Sequence, residues 1–227
     1  MTEYREPSPV NPLPPAVWLL FLALVVPELI FSAGESGLAG GPQAVGWRLA
    51  ALNDYAFSGD AFDFMVENGR LLPDYMLRFL TYPFVFGSFT SCLFAGVILL
   101  AMGKLVGEAL GGWAVVLIFV LSGVLGALVF GLATDQAWLV GGYPSVYGLI
   151  GTYTFLYWQR QVATGGPQGQ AFMLIGVLMG IQLIFGALFQ VGYAWVGELA
   201  GFAAGFAITA FVVPGGMARV TNVLRRR

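Results

Sequence analysis

The sequence has no histidine, one cysteine and few charged side chains, and each shortage excludes a class of function. Without histidine, the chain lacks the commonest general base and the commonest metal ligand of proteins. The single cysteine, Cys92, lies in an apolar run and has no partner for an internal disulfide, so we expect an inert buried thiol. We therefore expect neither a metal nor a cofactor.

The charges that remain do not indicate nucleic-acid binding. The formal net charge is −2, and no basic patch interleaved with aromatic residues is found. Hydrophobic residues make up 58% of the chain and charged residues only 10%, and the mean hydropathy is +0.81. A soluble domain of this size carries about a quarter charged residues. The chain is therefore predicted to lie in a lipid bilayer.

Several apolar stretches are long enough to cross the bilayer, because a helix of about 20 residues spans about 30 Å of hydrocarbon. They are continuous rather than alternating, which favours helices over the strands of a barrel. We predict an all-α bundle with six spans and a long interfacial loop between the first two. The spans cover residues 15–33, 84–102, 113–132, 143–159, 171–189 and 194–213.

This pattern divides the chain into a disordered Pro-rich tail (1–14), a membrane domain (15–214) that contains the loop 34–83, and a basic tail (215–227). The acids and aromatic residues of the loop favour short helices at the membrane interface, and a small cap in water is the alternative. The first span could instead be a signal peptide, but the residues before it lack a basic n-region.

Basic residues collect on the side of both predicted ends, so the positive-inside rule predicts cytoplasmic N and C termini. The lack of a disulfide pair and the basic tail favour a bacterial inner membrane.

In the sixth span, Gly197, Gly201 and Gly205 lie four residues apart, on one helix face that lets another backbone approach closely. Helix packing accounts for this stripe without any chemistry.

Three segments of the predicted spans carry a specific pattern. Val146 to Gly151 reads V-Y-G-L-I-G in the fourth span, Glu198 to Gly205 lies in the sixth, and Arg78 to Thr81 precedes the second. In order, spacing and predicted topology, these segments resemble the rhomboid intramembrane serine proteases over about residues 76–215. The resemblance implies a rhomboid-like bundle whose ancestral activity is cleavage of transmembrane substrates.

The resemblance also implies where the active residues would lie, and those positions carry other side chains. The nucleophilic serine falls on Tyr143, the glycine after it on Pro144, and the catalytic histidine on Glu198. The remaining family positions are the two oxyanion-hole residues, a further histidine, and the tyrosine that packs on the catalytic histidine; they fall on Ser91, Ala95, Phe86 and Tyr147.

These replacements predict a degenerate site that does not hydrolyse peptide bonds. A phenol is a poor acyl-transfer nucleophile, and Ala95 donates nothing to an oxyanion, a loss that typically costs about 10²–10³ in rate. Pro144 has no N–H to offer, although it suits the first turn of a helix. The alternative is a dyad of Ser145 with Glu198 as base, but two residues along a helix rotate Ser145 about 200° away from the direction of Tyr143.

Two acids within the spans are functional candidates, since a charge in lipid is costly. Glu198 either hydrogen-bonds Tyr143, locking the fourth and sixth spans together, or handles protons or ions. Glu28, beside Pro27, either lies near the interface or marks a client-binding kink. The predicted client or structural contacts are Tyr143, Tyr147, Glu198, Gly201 and Gly205.

Family members without catalytic residues bind transmembrane clients, and the resemblance implies the same here. We expect a non-proteolytic protein that holds a client helix, between spans 2 and 5 where the family admits substrate, or serves as a subunit or assembly factor of a larger membrane complex. An active serine endopeptidase and a small transporter or channel are the alternatives. The expected partners are a transmembrane helix or membrane complex and the lipid bilayer, but no nucleic acid.

Overall fold

The computed structural model describes residues 12–189 and 192–213, and helices account for most of them. The chain is an all-α membrane protein, as predicted. Most of the predicted N-terminal tail and all of the predicted tail 215–227 lie outside the described residues. The helices are α1 (Pro15–Glu35), α2 (Trp47–Tyr55), α3 (Gly59–Asn68), α4 (Pro73–Thr81), α5 (Phe89–Leu110), α6 (Gly112–Ala133), α7 (Tyr143–Thr164), α8 (Met173–Phe189) and α9 (Ala194–Val212).

Four of the described helices, α1, α5, α6 and α9, are long and apolar enough to cross a membrane. Two further helices correspond to the fourth and fifth predicted spans: α7 has 22 residues and α8 has 17. The count of six spans therefore stays a prediction. All six predicted spans coincide with helices, although their bounds differ in places.

Three predicted bounds differ from the helices by five residues or more. The second span was predicted to end at residue 102, but α5 continues to Leu110, where Gly111 has a φ of 89°. Local sequence also explains the other two. The fourth span was predicted to end at residue 159, but α7 continues to Thr164, about 33 Å from its start, until Gly165 turns the chain with a φ of 70°. The second span was predicted to begin at residue 84, but α5 begins at Phe89. Ser88 caps that helix, because its hydroxyl accepts a hydrogen bond from the Ser91 N–H at 3.3 Å.

The long loop folds into the short helices that its composition indicated. A 3-10 turn (Gly41–Gly46) and helices α2, α3 and α4 fill it, together with a two-residue strand, β1 (Phe57–Ser58). β1 pairs antiparallel with β2 (Trp138–Leu139), which precedes α7, so that Phe57 lies opposite Leu139. The ring of Phe57 is buried among the aromatic rings of Phe62, Phe79 and Phe130. This cluster fixes the loop to the end of the bundle at which α7 begins.

A buried ion pair ties the loop to α1. Arg48 of α2 donates two hydrogen bonds to the carboxylate of Glu28, at 2.7 and 2.8 Å, and further bonds to Glu35 and to the carbonyl of Phe86. Arg48 is 7% exposed and Glu28 only 1%. The hydrogen bonds to Glu28 and then Glu35 raise the pKa of Arg48 above its usual range, so the guanidinium stays charged. Glu28 thus has a structural partner that neither sequence interpretation of it included.

At the centre of the bundle, α7 lies between α5, α6 and α9. Every residue from Pro144 to Thr152 is buried. A Cβ on Gly201 would overlap the backbone of Pro144, and a Cβ on Gly205 would overlap that of Gly148, so α7 and α9 touch backbone to backbone at these glycines. This is the close helix approach that the glycine stripe predicts, and it holds the N-terminal half of α7 against α9.

Candidate functional site

The site starts where β2 turns into α7. Gly141 adopts a φ of +84°, a conformation that side chains other than glycine rarely adopt, and its N–H donates a hydrogen bond to the carbonyl of Tyr82 at 3.2 Å. A Cβ there would also press on the ring of Phe86. Pro144 then occupies the first turn of α7, where no backbone donor is required. Tyr143 is thereby placed at the N-terminal end of α7, facing α5.

Tyr143 closes the gap between α7 and α5. Its hydroxyl donates a hydrogen bond to the backbone carbonyl of Ser91 at 3.0 Å, and the Ser91 hydroxyl lies 3.5 Å away. The phenol ring packs edge-on against Phe86, with 6.4 Å between ring centroids. Ala95, one turn along α5, is fully buried in the apolar core. The resemblance assigns the family's serine, asparagine and two of its histidines to four positions that lie close together here. Packed side chains fill them: Tyr143, Ser91, Ala95 and Phe86.

Glu198 lies on α9 and is only 4% exposed. Its carboxyl group accepts a hydrogen bond of 2.5 Å from the side-chain amide of Gln182 on α8. The phenol of Tyr147, one turn after Tyr143 on α7, lies beside the same carboxyl group and interacts with it electrostatically. Glu198 thus joins α7, α8 and α9 rather than facing open space.

The predicted hydrogen bond between Tyr143 and Glu198 is not among those that the described residues form. Tyr143 bonds to Ser91, and the phenol that reaches Glu198 belongs to Tyr147. The reason is helical geometry: Tyr143 and Tyr147 lie four residues apart, stacked on one face of α7, so that one meets α5 and the other meets α9. Tyr143 still lies within electrostatic reach of the Glu198 carboxyl group.

Ser145 lies on another side of α7. Its side chain is fully buried against Gly123 of α6, and its hydroxyl has no hydrogen-bond partner among the described residues. Glu198 accepts its hydrogen bond from Gln182 and has the phenol of Tyr147 as a further polar neighbour. The structure therefore brings together Tyr143, Ser91 and Phe86 in one group, and Tyr147 and Glu198 in an adjoining one, but it does not bring Ser145 to Glu198.

Gln182 is the member of this site that sequence analysis missed. It is the one polar side chain among the 17 residues of α8, and a lone amide in an apolar helix indicates a buried partner. Chemically, the assembled residues offer two phenols and one carboxyl group, of which the Tyr143 phenol and the Glu198 carboxyl group are already hydrogen-bonded. The described part of the chain contains no cluster of three or more metal-ligating acids or thiols.

Comparison with known proteins adds one finding about family. A protein-family model described as Rhomboid domain matches residues 73–215, which is more than half of the chain and extends from the start of α4 to just beyond α9. No curated protein matches the chain.

Proposed function

The chain belongs to the rhomboid family, and from that premise we propose that it does not cleave peptide bonds but binds transmembrane helices of other membrane proteins. It would hold such a client, or serve as a subunit or assembly factor of a larger membrane complex. The proposed location is a bacterial inner membrane, with both termini in the cytoplasm, as the distribution of basic residues favours.

One observation carries the loss of proteolysis: the groups at the nucleophile and base positions are bonded to other partners. Tyr143 donates to the Ser91 carbonyl, and Glu198 accepts from Gln182. Acyl transfer needs a nucleophile and base in contact, plus donors for the oxyanion. Because nucleophile, base and oxyanion positions act as one unit, a substitution at any one of them is not rescued by the others.

The helix α8 supports the client-binding part of the proposal. Of the nearby helices it packs most loosely, and its outward side chains are large and apolar. Those more than half exposed are Met173, Val177, Ile181, Ile184 and Leu188. On the α9 side, the hydrogen bond from Gln182 to Glu198 is a polar contact that holds α8. A client helix that approaches between α5 and α8 would therefore meet an apolar surface next to Tyr143.

Co-reconstitution with a model helix tests both parts. The probe is a synthetic peptide with a spanning segment of Leu and Ala and two Lys residues at one end, placed in proteoliposomes with the purified protein. A photo-crosslinking amino acid replaces Phe94, which is 61% exposed on α5 and lies one turn before Ile98, a residue that packs in one apolar cluster with Ile175 of α8. We expect a crosslinked product with peptide of full length. Peptide fragments that accumulate with time would overturn the proposal, as would the absence of crosslinking at every exposed membrane face of the protein.

A further inference from the structure

A second surface of the bundle, on the side of α6 and α9, combines charge with an apolar groove. Helix α3 packs on α6 where the ring of Phe62 meets Gly131. This contact places Asp63 and Glu67 of α3 beside Asp135, which follows α6, and the three acids border a recess of about 450 Å³. We call these three residues with this recess the acidic recess.

The acidic recess is short of positive charge. Asp63, Glu67 and Asp135 are all exposed, and no Lys or Arg side chain is among the described residues that line the recess. Asp63 and Glu67 are four residues apart on α3, an arrangement in which like charges repel and weaken a helix. A cation in the recess would remove this repulsion.

An apolar groove adjoins the acidic recess. It has a volume of about 760 Å³ and lies between α6 and α9, with Val129, Leu199 and Ala203 among its walls. The groove and the acidic recess share Ala133, Thr134 and Asp135, so the two adjoin each other at the end of α6; we call them together the depression. Small side chains at Ala200 and Ala203 leave room for another helix to approach closely.

We propose that this depression, the α6/α9 groove with its acidic recess, binds a transmembrane helix that carries a Lys or Arg side chain at the matching end. The apolar part of the helix lies along α6 and α9, and the basic side chain reaches Asp63, Glu67 and Asp135. A phospholipid fits less well, because its phosphate would face three carboxylates. On the predicted orientation, the acidic recess faces away from the cytoplasm, where basic residues beside spans are uncommon, so the charge would select among helices.

The inference rests on the proposed function in one respect, that the chain binds transmembrane helices at all. It adds the chemistry of the partner and a binding face distinct from that between α5 and α8. An experiment can therefore contradict the further inference without contradicting the proposed function, and the same peptide probe distinguishes the two results.

The test uses photo-crosslinking amino acids at two exposed apolar residues on different faces. Leu199 lies in the groove on α9 and is 41% exposed, whereas Phe94 lies on the side of α5 that faces α8. Each variant is reconstituted with the Lys-ended peptide or a matched Gln-ended peptide. At Leu199 we expect about fivefold more product with the Lys-ended peptide, a difference that high salt removes. Neutralising the acidic recess with Asp63→Asn, Glu67→Gln and Asp135→Asn should remove it as well.

Each other outcome counts against the inference. Equal crosslinking of the two peptides at Leu199 would contradict charge recognition, and crosslinking of Leu199 to lipid alone would assign the groove to lipid. Crosslinking at Phe94 without Leu199 would overturn the inference and leave the proposed function standing. No crosslinking at either position would overturn the inference together with client binding between α5 and α8. Because the neutralised residues are exposed, circular dichroism should show the triple variant folded like the wild type.

Discussion

Replacing Arg48 by methionine should strongly destabilise the membrane domain. The change keeps most of the apolar volume but leaves the Glu28 carboxylate 1% exposed without its two guanidinium hydrogen bonds. Removing one partner of a buried ion pair costs about 3–5 kcal/mol, whereas replacing both partners by apolar side chains is often neutral. For a domain of this size, the loss corresponds to a fall in Tm of about 10 °C. The double variant with Glu28→Leu should therefore recover most of the loss.

The chain contains its own reporter for this measurement. Cys92 is the single cysteine and is buried beneath α1, where its thiol contacts the carbonyl of Leu24 at 3.5 Å. A maleimide dye that fluoresces on reaction with Cys92 follows thermal unfolding in mild detergent. Arg70→Met is the matched control, because Arg70 is exposed, and its Tm should stay within about 1 °C of the wild type. If Arg48→Met lowered the Tm no more than the control, the reasoning about the buried pair would be refuted.

Two further predictions concern the contacts of α9. Gly205→Ala should destabilise the domain by about 1–3 kcal/mol, because the added Cβ overlaps the backbone of Gly148. The control Gly176→Ala, on the open face of α8, should be neutral or stabilising. Equal Tm values for the two variants would contradict the close packing of α7 and α9. Gln182→Leu should lower the free energy of unfolding by about 1–3 kcal/mol, because it removes the donor that buried Glu198 bonds to. Glu198→Gln keeps an acceptor for that donor and should lower the stability less. The reverse order of Tm values would show that Gln182 is not the partner of Glu198.

The helices were predictable because their apolar runs are long and uninterrupted, and the chemistry of the membrane requires helices there. The residues at which these helices begin and end were less predictable. The polar end of α7, from Gln159 to Thr164, carries no hydrophobic signal, and its termination depends on the backbone conformation of Gly165. The start of α5 depends on a single capping hydroxyl, that of Ser88.

The contacts within the site were harder to predict than its location. Spacing along the chain indicates that Tyr143 and Tyr147 share a helix face, but which of them meets Glu198 depends on the crossing of α7 with α9. The pairing of Arg48 with Glu28 joins residues 20 positions apart through the fold of the loop, and no local pattern predicts it. Gln182 carried a usable signal, because it stands alone among apolar residues in α8.

The central claim, that the catalytic positions no longer perform acyl transfer, is tested most directly by a serine-reactive fluorophosphonate probe on the purified protein in proteoliposomes. Intact-mass spectrometry then counts adducts. We predict none at any concentration that fully labels an active rhomboid protease in parallel. A stoichiometric adduct on the wild-type chain that is lost in Ser145→Ala would show a working nucleophile and contradict the account.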